Sequence, residues 1–548
     1  MLFAVRSAGA LHRLLDVLPA FEGDERIVCR FTLVPGSDFD VDALAAVERS
    51  GIRSVSWTEA RRRAHDLILA ASPKGALRVL SGPRVLLPHG AGFNKAIPHE
   101  GSPRLPSGLD PSYLLADGRP WVNLHALAHE SQLGRLAESC PPAAARARVV
   151  GDPTLDRVLA SVPHREEYRA ALGTGERRLI ALTSTWGPES LLARRPRLPA
   201  ALVGGLPHDA YQVALLLHPN EHSRIGTFDL SRHLAPALAA GLVLAGPYQE
   251  WAALLVACDA VITDHGSTAL YAAALGRPLI GAYDGGQELI AGSPMADVLA
   301  QAPWLADPAG PAELTDALTD ALTEARLRDS RPFAATAFAL PGESLPRLHH
   351  ELYRLLELPP RSRPAHPHPF PAPGGPARHP TAYAVRAEVT GQRVRVERFP
   401  AFAPGPAHHL AAESPAADPR QQQSAAVLWR RAAAGPHPPH SSSWTAGGWT
   451  ARMLDEAPGR RTVAAILTPE RCLVRHRSGA VLSVRVEPCT LDGRVLRVDP
   501  AAAVSAVHAW LGSTAEWPGP TTLTCEFGPL TVRVELTEAD DADLGYEI

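Results

Sequence analysis

Short apolar runs alternate with amphipathic stretches from the first residues onward. "LFAVRS" (2–7) leads into the helix-like "GALHRLLDVL" (9–18), "RIVCRFTLV" (26–34) into "DVDALAAVERSG" (40–51), and "DLILAAS" (66–72) precedes "RVLLPHG" (84–90). Strands alternating with helices predict a parallel sheet covered by helices. After a Pro-rich, polar interval the pattern restarts with five further apolar runs: "RRLIALTS", "QVALLLH", "GLVLAG", "DAVITD" and "PLIGAY". Two consecutive α/β halves of similar size fit two Rossmann-like domains facing a cleft. Two helices close this half: "PAELTDALTDALTEAR" (311–326) and "SLPRLHHELYRLLEL" (344–358). The second carries Leu345, Leu348, Leu352 and Leu355 on one face, with Ser344 as its expected cap.

The pattern changes abruptly at 359. "PPRSRPAHPHPFPAPGGPARHP" (359–380) has too little apolar surface to offset the cost of ordering and is expected to be a disordered linker. "AVRAEVTGQRVRVERF" predicts a hairpin turning at Thr390-Gly391. Loose tracts follow at 403–423 and around 435–449. Strands ("TVAAILT", "AVLSVRVEPC", "LTVRVELT") and the helix "PAAAVSAVHAWLG" complete the tail. The expected units are therefore an N-terminal domain (1–165), a second domain ending in a return helix (166–358), the linker (359–381) and a small α+β domain with loose insertions (382–548).

Composition sets limits on function. A chain of 548 residues exceeds what one core usually holds, and 45% hydrophobic with 20% charged residues suits a globular protein. A net charge of −3 offers no footprint for nucleic acid. No apolar run is long enough to cross a membrane, and Arg6 interrupts the start too early for a signal peptide. Six scattered cysteines without CxxC pairs argue for a reducing cytoplasm and against zinc. Of the 54 lysines and arginines only Lys74 and Lys95 are lysine, which points to chemistry at those two positions.

Four strand-to-helix turns carry candidate chemistry. In "VITDHGSTAL" (261–270), Asp264 closes a strand and Gly266-Ser267-Thr268 opens a helix, whose free N–H groups and partial positive charge attract phosphate. The competing reading is a helix cap with no ligand. In "LLPHGAGFNKAIP" (86–98), His89 and Lys95 flank a Gly-rich loop at a strand end and suit a general base and an anion contact; Lys95 at the third glycine position argues against NAD. His218 ends "ALLLH", and with His89 and His265 makes three strand-end histidines. "TSTWGPES" (183–190) adds hydroxyls at Thr183, Ser184 and Thr185. The histidines of the loose tracts (His366, His368, His408, His409, His437, His440) have no fixed spacing and are read as disordered.

The order of these signals resembles the glycosyltransferase-B-fold clan of CDP-glycerol glycerophosphotransferases (the teichoic-acid polymerase type) and UDP-N-acetylglucosamine 2-epimerases. His89, Gly90 and Lys95 resemble the polymerases' HG loop, His218 a histidine of their C-terminal half, and Thr263-Asp264-His265-Gly266-Ser267 their phosphate loop. "VVGDPTLDRVL" (149–159) is similar to a segment of the epimerases, and "LGRPLI" (275–280) to both. Gly266 departs from the polymerases' serine, and Ala269 to Ala273 hold no acidic pair like that of the epimerases. The resemblance spans about residues 1–358. It implies two Rossmann-like domains, the first on the acceptor side, and a transferase moving a glycosyl or polyol-phosphate group from a nucleotide-diphosphate donor to a hydroxyl. His89 would be the general base, and His218 or Lys95 would stabilise developing charge. Thr183, Ser184, Asp264, His265, Gly266, Ser267 and Thr268 would hold the diphosphate. No cofactor, metal or nucleic acid is expected; a protein partner could bind through 382–548, and the expected place is the cytoplasm or the inner membrane face. The alternatives are a UDP-sugar 2-epimerase-like enzyme and a non-catalytic scaffold.

Overall fold

The architecture is that of a computed structural model, which describes residues 1–36, 40–88, 90–97, 101–306, 311–360, 365–375, 378–402, 407–433, 442–514 and 516–548. The first unit is built on a six-stranded parallel sheet. Its strands lie in the order Arg30–Leu33, Leu2–Val5, Ile68–Ala70, Arg84–Leu86, Leu124–Leu127, Ala147–Val149. The first four follow the apolar runs. The last two fall in the interval that the pattern left as Pro-rich and polar. The second unit is a five-stranded parallel sheet in the order Val243–Leu244, Tyr211–Leu217, Arg178–Ser184, Ala260–Thr263, Leu279–Gly281. All five of its strands coincide with the five apolar runs. The central strands of both sheets are almost wholly buried, as expected when helices cover both faces.

The strand order reverses next to Leu2–Val5 in the first sheet and next to Arg178–Ser184 in the second. In open parallel sheets the crevice at such a reversal, at the carboxyl ends of the strands, is where ligands sit. The helix Ser344–Leu355 returns from the second unit to the first: Leu345, Leu348, Leu352 and Tyr353 join the core that holds Phe3, Phe21 and Phe31. Ser344 is not its cap. The carboxylate of Asp156 accepts from the N–H groups of Gly342 (2.7 Å) and Leu345 (2.9 Å) and from Ser344 Oγ (3.1 Å), so the helix start is capped by a side chain from another element.

Residues 365–375 carry no helix or strand, yet they are packed, which corrects the expectation of a loose linker. Phe370 is buried, its ring lies under the Arg157 guanidinium at 4.0 Å, and its N–H donates to Ser161 Oγ at 2.9 Å. One aromatic anchor suffices to dock a segment whose average composition is polar.

The C-terminal unit, expected as a small α+β domain with loose insertions, is built on a closed barrel of nine strands. Around the barrel run Ala382–Thr390, Arg393–Pro400, Thr521–Phe527, Leu530–Glu538, Val481–Val486, Arg471–His476, Thr462–Thr468, Val427–Arg431 and His409–Glu413. The expected hairpin is its first pair, turning at Gly391-Gln392. The helix Pro500–Ser513 is buried from Pro500 to Val507 and again at Trp510 and Leu511, and it shares one core with the inward side chains of the strands. It is apolar all round because it fills the barrel.

Candidate functional site

The carboxyl edges of the two parallel sheets face one another across a cavity of about 230 Å3. The first sheet contributes the residues after its central strands, Arg6, Ser7, Ser72 and Lys74, and the loop from Gly90 to Lys95. The second contributes Ser184, Thr185, Trp186, His218, His265, Gly266, Ser267 and Thr268. Both lysines of the chain line this cavity. Among the described residues no carboxylate does, while hydroxyls come from both sides. Such a lining favours an anion.

The turn after Ala260–Thr263 is organised by Asp264, whose side chain is fully buried. Oδ2 accepts from the N–H groups of Thr185 and Leu191, both at 2.9 Å, and Oδ1 accepts from Gly266 N–H at 2.9 Å. The carboxylate is thereby spent on three backbone donors that bind two loops together. Asp264 positions the site and does not reach into the cavity, which corrects its assignment to substrate. A side chain at Gly266 would be tightly confined, since a Cβ there would lie 3.0 Å from Asp264 Oδ1 and 3.4 Å from Thr185 Cβ. Ser267 occupies the cap position of the short helix Thr268–Ala274 without making a side-chain cap bond. Among the described residues no hydrogen bond is made by the Ser267 or Thr268 hydroxyl, and both residues are half-buried on the cavity wall. The turn is therefore not accounted for as a cap alone.

Thr183 turns away: its hydroxyl donates to Thr263 Oγ1 at 2.8 Å, inside the sheet, and it does not line the cavity. This removes it from the expected ligand contacts. Ser184 lines the cavity but its Oγ accepts from Leu192 N–H at 3.0 Å. Thr185, buried on the cavity wall, carries no side-chain bond among the described residues.

His218 Nδ1 accepts the Asn220 N–H at 3.1 Å, capping the helix Pro219–Ile225. A neutral His218 therefore carries its proton on Nε2 and acts as a donor. His265 is buried, with Nε2 at 3.3 Å from Glu288 Oε2 and with Nδ1 lacking a partner among the described residues. Gly285, in the left-handed region at φ 82°, lets this ring in: a Cβ would sit 2.4 Å from it. Glu288 also pairs with Lys95 Nζ at 2.6 Å. Burial would raise the Glu288 carboxyl, but the hydrogen bonds from His265 and Lys95 outweigh it and lower the pKa. Lys95 further donates to Trp186 O at 2.9 Å and lies 4.7 Å from the Trp186 ring centre. Lys95 is thus a tie between the two sheet units as well as a cavity residue. The backbone repeats the tie, with Ala96 N–H on Glu288 O and Ile290 N–H on Asn94 O, both at 2.8 Å. His89 lies outside the described residues; its neighbour Gly90 lines the cavity.

Sequence reasoning missed Arg6, Ser7 and Ser72, and did not place Lys74 in the site. Arg6 donates to Gly36 O at 3.0 Å and Lys74 to Ser107 Oγ at 3.0 Å. The available signal was positional: these residues directly follow the strands that flank the first sheet's order reversal.

No protein-family model matches the chain, and no curated protein matches it. Solved structures do. HepE of Anabaena in complex with UDP-glucose is 17% identical, with 64% of this chain and 98% of that one covered and a TM-score of 0.40. The wall teichoic acid polymerase TagF is 12% identical over 65% of this chain and 88% of its own, with a TM-score of 0.45. MnaA of S. aureus with UDP is 10% identical over 68% and 99%, with a TM-score of 0.41. At such scores these neighbours leave the functional question to the site itself.

Proposed function

We propose that the protein is a transferase that moves a glycosyl or polyol-phosphate group from a nucleotide-diphosphate donor to a hydroxyl acceptor, in the manner of CDP-glycerol glycerophosphotransferases. The observation that carries this reading is the cavity at the two strand-order reversals, lined by cations from the first sheet unit, by hydroxyls from both and, among the described residues, by no carboxylate. A diphosphate suits that lining. Ser267, Thr268, Thr185 and the backbone N–H groups of Ser267 and Thr268 would hold its oxygens, with Asp264 fixing the turn through the Gly266 N–H. About 230 Å3 is below the roughly 300–1,000 Å3 of whole-ligand pockets, so the cavity suits the diphosphate and the reacting group, with the nucleoside reaching beyond it.

With no carboxylate in the described lining, the base that takes the acceptor proton would be a histidine. His89, next to Gly90, is the candidate for that role. His218, with its proton on Nε2, would donate to the oxygen that gains charge as the donor bond breaks. The acceptor oxygen bonds to phosphorus or to the anomeric carbon, the bond to the leaving nucleotide breaks, and the proton passes to the histidine. The test is to incubate the protein with CDP-glycerol or UDP-glucose and a polyol, and to measure release of CMP or UDP. His89→Ala should reduce release about 10²–10⁴-fold while donor affinity stays within a factor of a few. Conversion of a UDP-sugar to its epimer with no acceptor present would favour an epimerase. No turnover with any donor would favour a scaffold.

A further inference from the structure

A second and larger cavity, about 640 Å3, lies at the opposite edge of the second sheet, where the barrel docks. On one side are Gly173 to Arg177 and His208-Asp209, which precede the strands Arg178–Ser184 and Tyr211–Leu217. On the other are barrel residues, among them Tyr383, Arg431, Phe527 and the Arg497–Pro500 loop. The seam is firmly made. Arg398, 2% exposed, donates to both oxygens of Asp209 (2.8 and 2.6 Å) and to Asp499 (3.0 Å), and its carbonyl accepts from His208 N–H (2.7 Å).

The walls combine flat apolar surface with an uneven distribution of charge. The half-buried His208 ring stands 5.4 Å from the buried Tyr383 ring, His379 lies 6.5 Å from His208, and Pro469 and Pro529 extend the apolar face. Burial lowers the His208 pKa to about 3, so the ring is neutral. Each carboxylate in the lining is already held by an arginine: Asp209 and Asp499 by Arg398, Glu413 by Arg431 at 3.1 Å, and Glu176 by Arg494 at 2.9 Å. Arg177 is different. Its guanidinium donates only to backbone carbonyls, Thr174 O at 3.1 Å and Gly173 O at 2.7 Å, and among the described residues no carboxylate lies within ion-pair distance. The nearest counter-charge acting on it, Asp209, is held by Arg398, and burial lowers the Arg177 pKa, so an anion bound there would complete its compensation.

We infer that this cavity is a second ligand site, for an aromatic organic anion of nucleoside-monophosphate size, with its phosphate on Arg177 and its ring against His208. The volume lies within the range of small-molecule pockets. Because both the second sheet unit and the barrel form its walls, the ligand links them and stiffens the seam. The seam is remote from the carboxyl edge of the sheet, so the site does not depend on the transferase reading.

The test uses the full-length protein and 8-azido-AMP. Photolysis followed by peptide mapping should label peptides from 173–177, 379–383 or 466–469. AMP should protect against labelling at concentrations at least tenfold below those at which inorganic phosphate does. Arg177→Ala should weaken AMP binding about tenfold or more in calorimetry, as expected for a lost charge-assisted contact. Arg497→Ala, a half-exposed cavity residue paired with Glu470, serves as a second variant if Arg177→Ala does not fold, and should weaken binding in the same direction. Labelling confined to 183–187 or 265–268, unchanged affinity in both variants, or no AMP binding at all overturns the inference.

Discussion

Replacing Asp264 separates positioning from contact in the candidate site. The carboxylate accepts from three backbone N–H groups, at Thr185, Leu191 and Gly266, each at 2.9 Å, and is fully buried. Asp264→Asn keeps the shape but supplies one acceptor oxygen. If that oxygen keeps the Thr185 and Leu191 donors, the new NH2 faces Gly266 N–H, donor against donor. The loss of one charge-assisted bond and a buried unsatisfied donor cost about 2–4 kcal/mol together. Asp264→Ala leaves three donors without a protein partner and costs about 3–5 kcal/mol after partial relaxation. Because the Thr185 and Gly266 loops lose their common anchor, nucleotide-diphosphate affinity should fall along with stability. The assay is urea unfolding with calorimetric titration of UDP or CDP on the same preparations, for Asp264→Asn and for Ser267→Ala/Thr268→Ala. The expected contrast is loss of both quantities in the first and of affinity alone in the second. An Asp264→Asn protein with wild-type midpoint would refute the reasoning, since the three bonds would then carry no stability.

Other outcomes follow from the same geometry. Phe370→Ala should cost about 3–5 kcal/mol, the range for emptying an aromatic site, and should make 365–375 the first point of cleavage in limited proteolysis. Arg398→Met leaves the Asp209 and Asp499 carboxylates without it at the seam; it should destabilise by about 3–5 kcal/mol, and small-angle scattering should show a larger radius as the barrel moves off the second unit. His12, His125 and His508 are lowered by burial to about 4 from 6.5, so each binds a proton more readily when unfolded. Their stabilising effect is full above pH 6.5 and is lost as pH falls towards 4; urea midpoints between pH 7 and 4.5 should fall, with proton uptake on unfolding. Glu288 works in the same direction at lower pH, its stabilisation being lost as pH drops below the ordinary value of 4.5.

What the sequence revealed follows from how local each feature is. The strands of the second sheet were legible because each is a continuous apolar run bounded by turns. Leu124–Leu127 escaped because His125 breaks the run, and Ala147–Val149 because an edge strand tolerates Arg148. The barrel could not be read locally: it closes by pairing Arg393 with Thr524 and Val427 with Thr462, partners far apart in the chain. Within the site, the Gly266-Ser267-Thr268 turn was visible because helix-start chemistry is written in adjacent residues. The true employment of Lys95 was not, because Glu288 reaches it from the other sheet unit. Phe370 shows the limit of composition, since one buried ring docks an otherwise polar stretch.

The central claim is that the cavity between the two sheets binds a nucleotide diphosphate through the turn at Gly266–Thr268. Its most direct test is calorimetric titration of CDP and UDP into the wild type and into Ser267→Ala/Thr268→Ala, both checked for equal unfolding midpoints. The expected result is binding by the wild type, weakened in the variant by about 1–3 kcal/mol, or about 5–150-fold in Kd. Equal affinities in two equally stable proteins, or no binding of either nucleotide by the wild type, would contradict it.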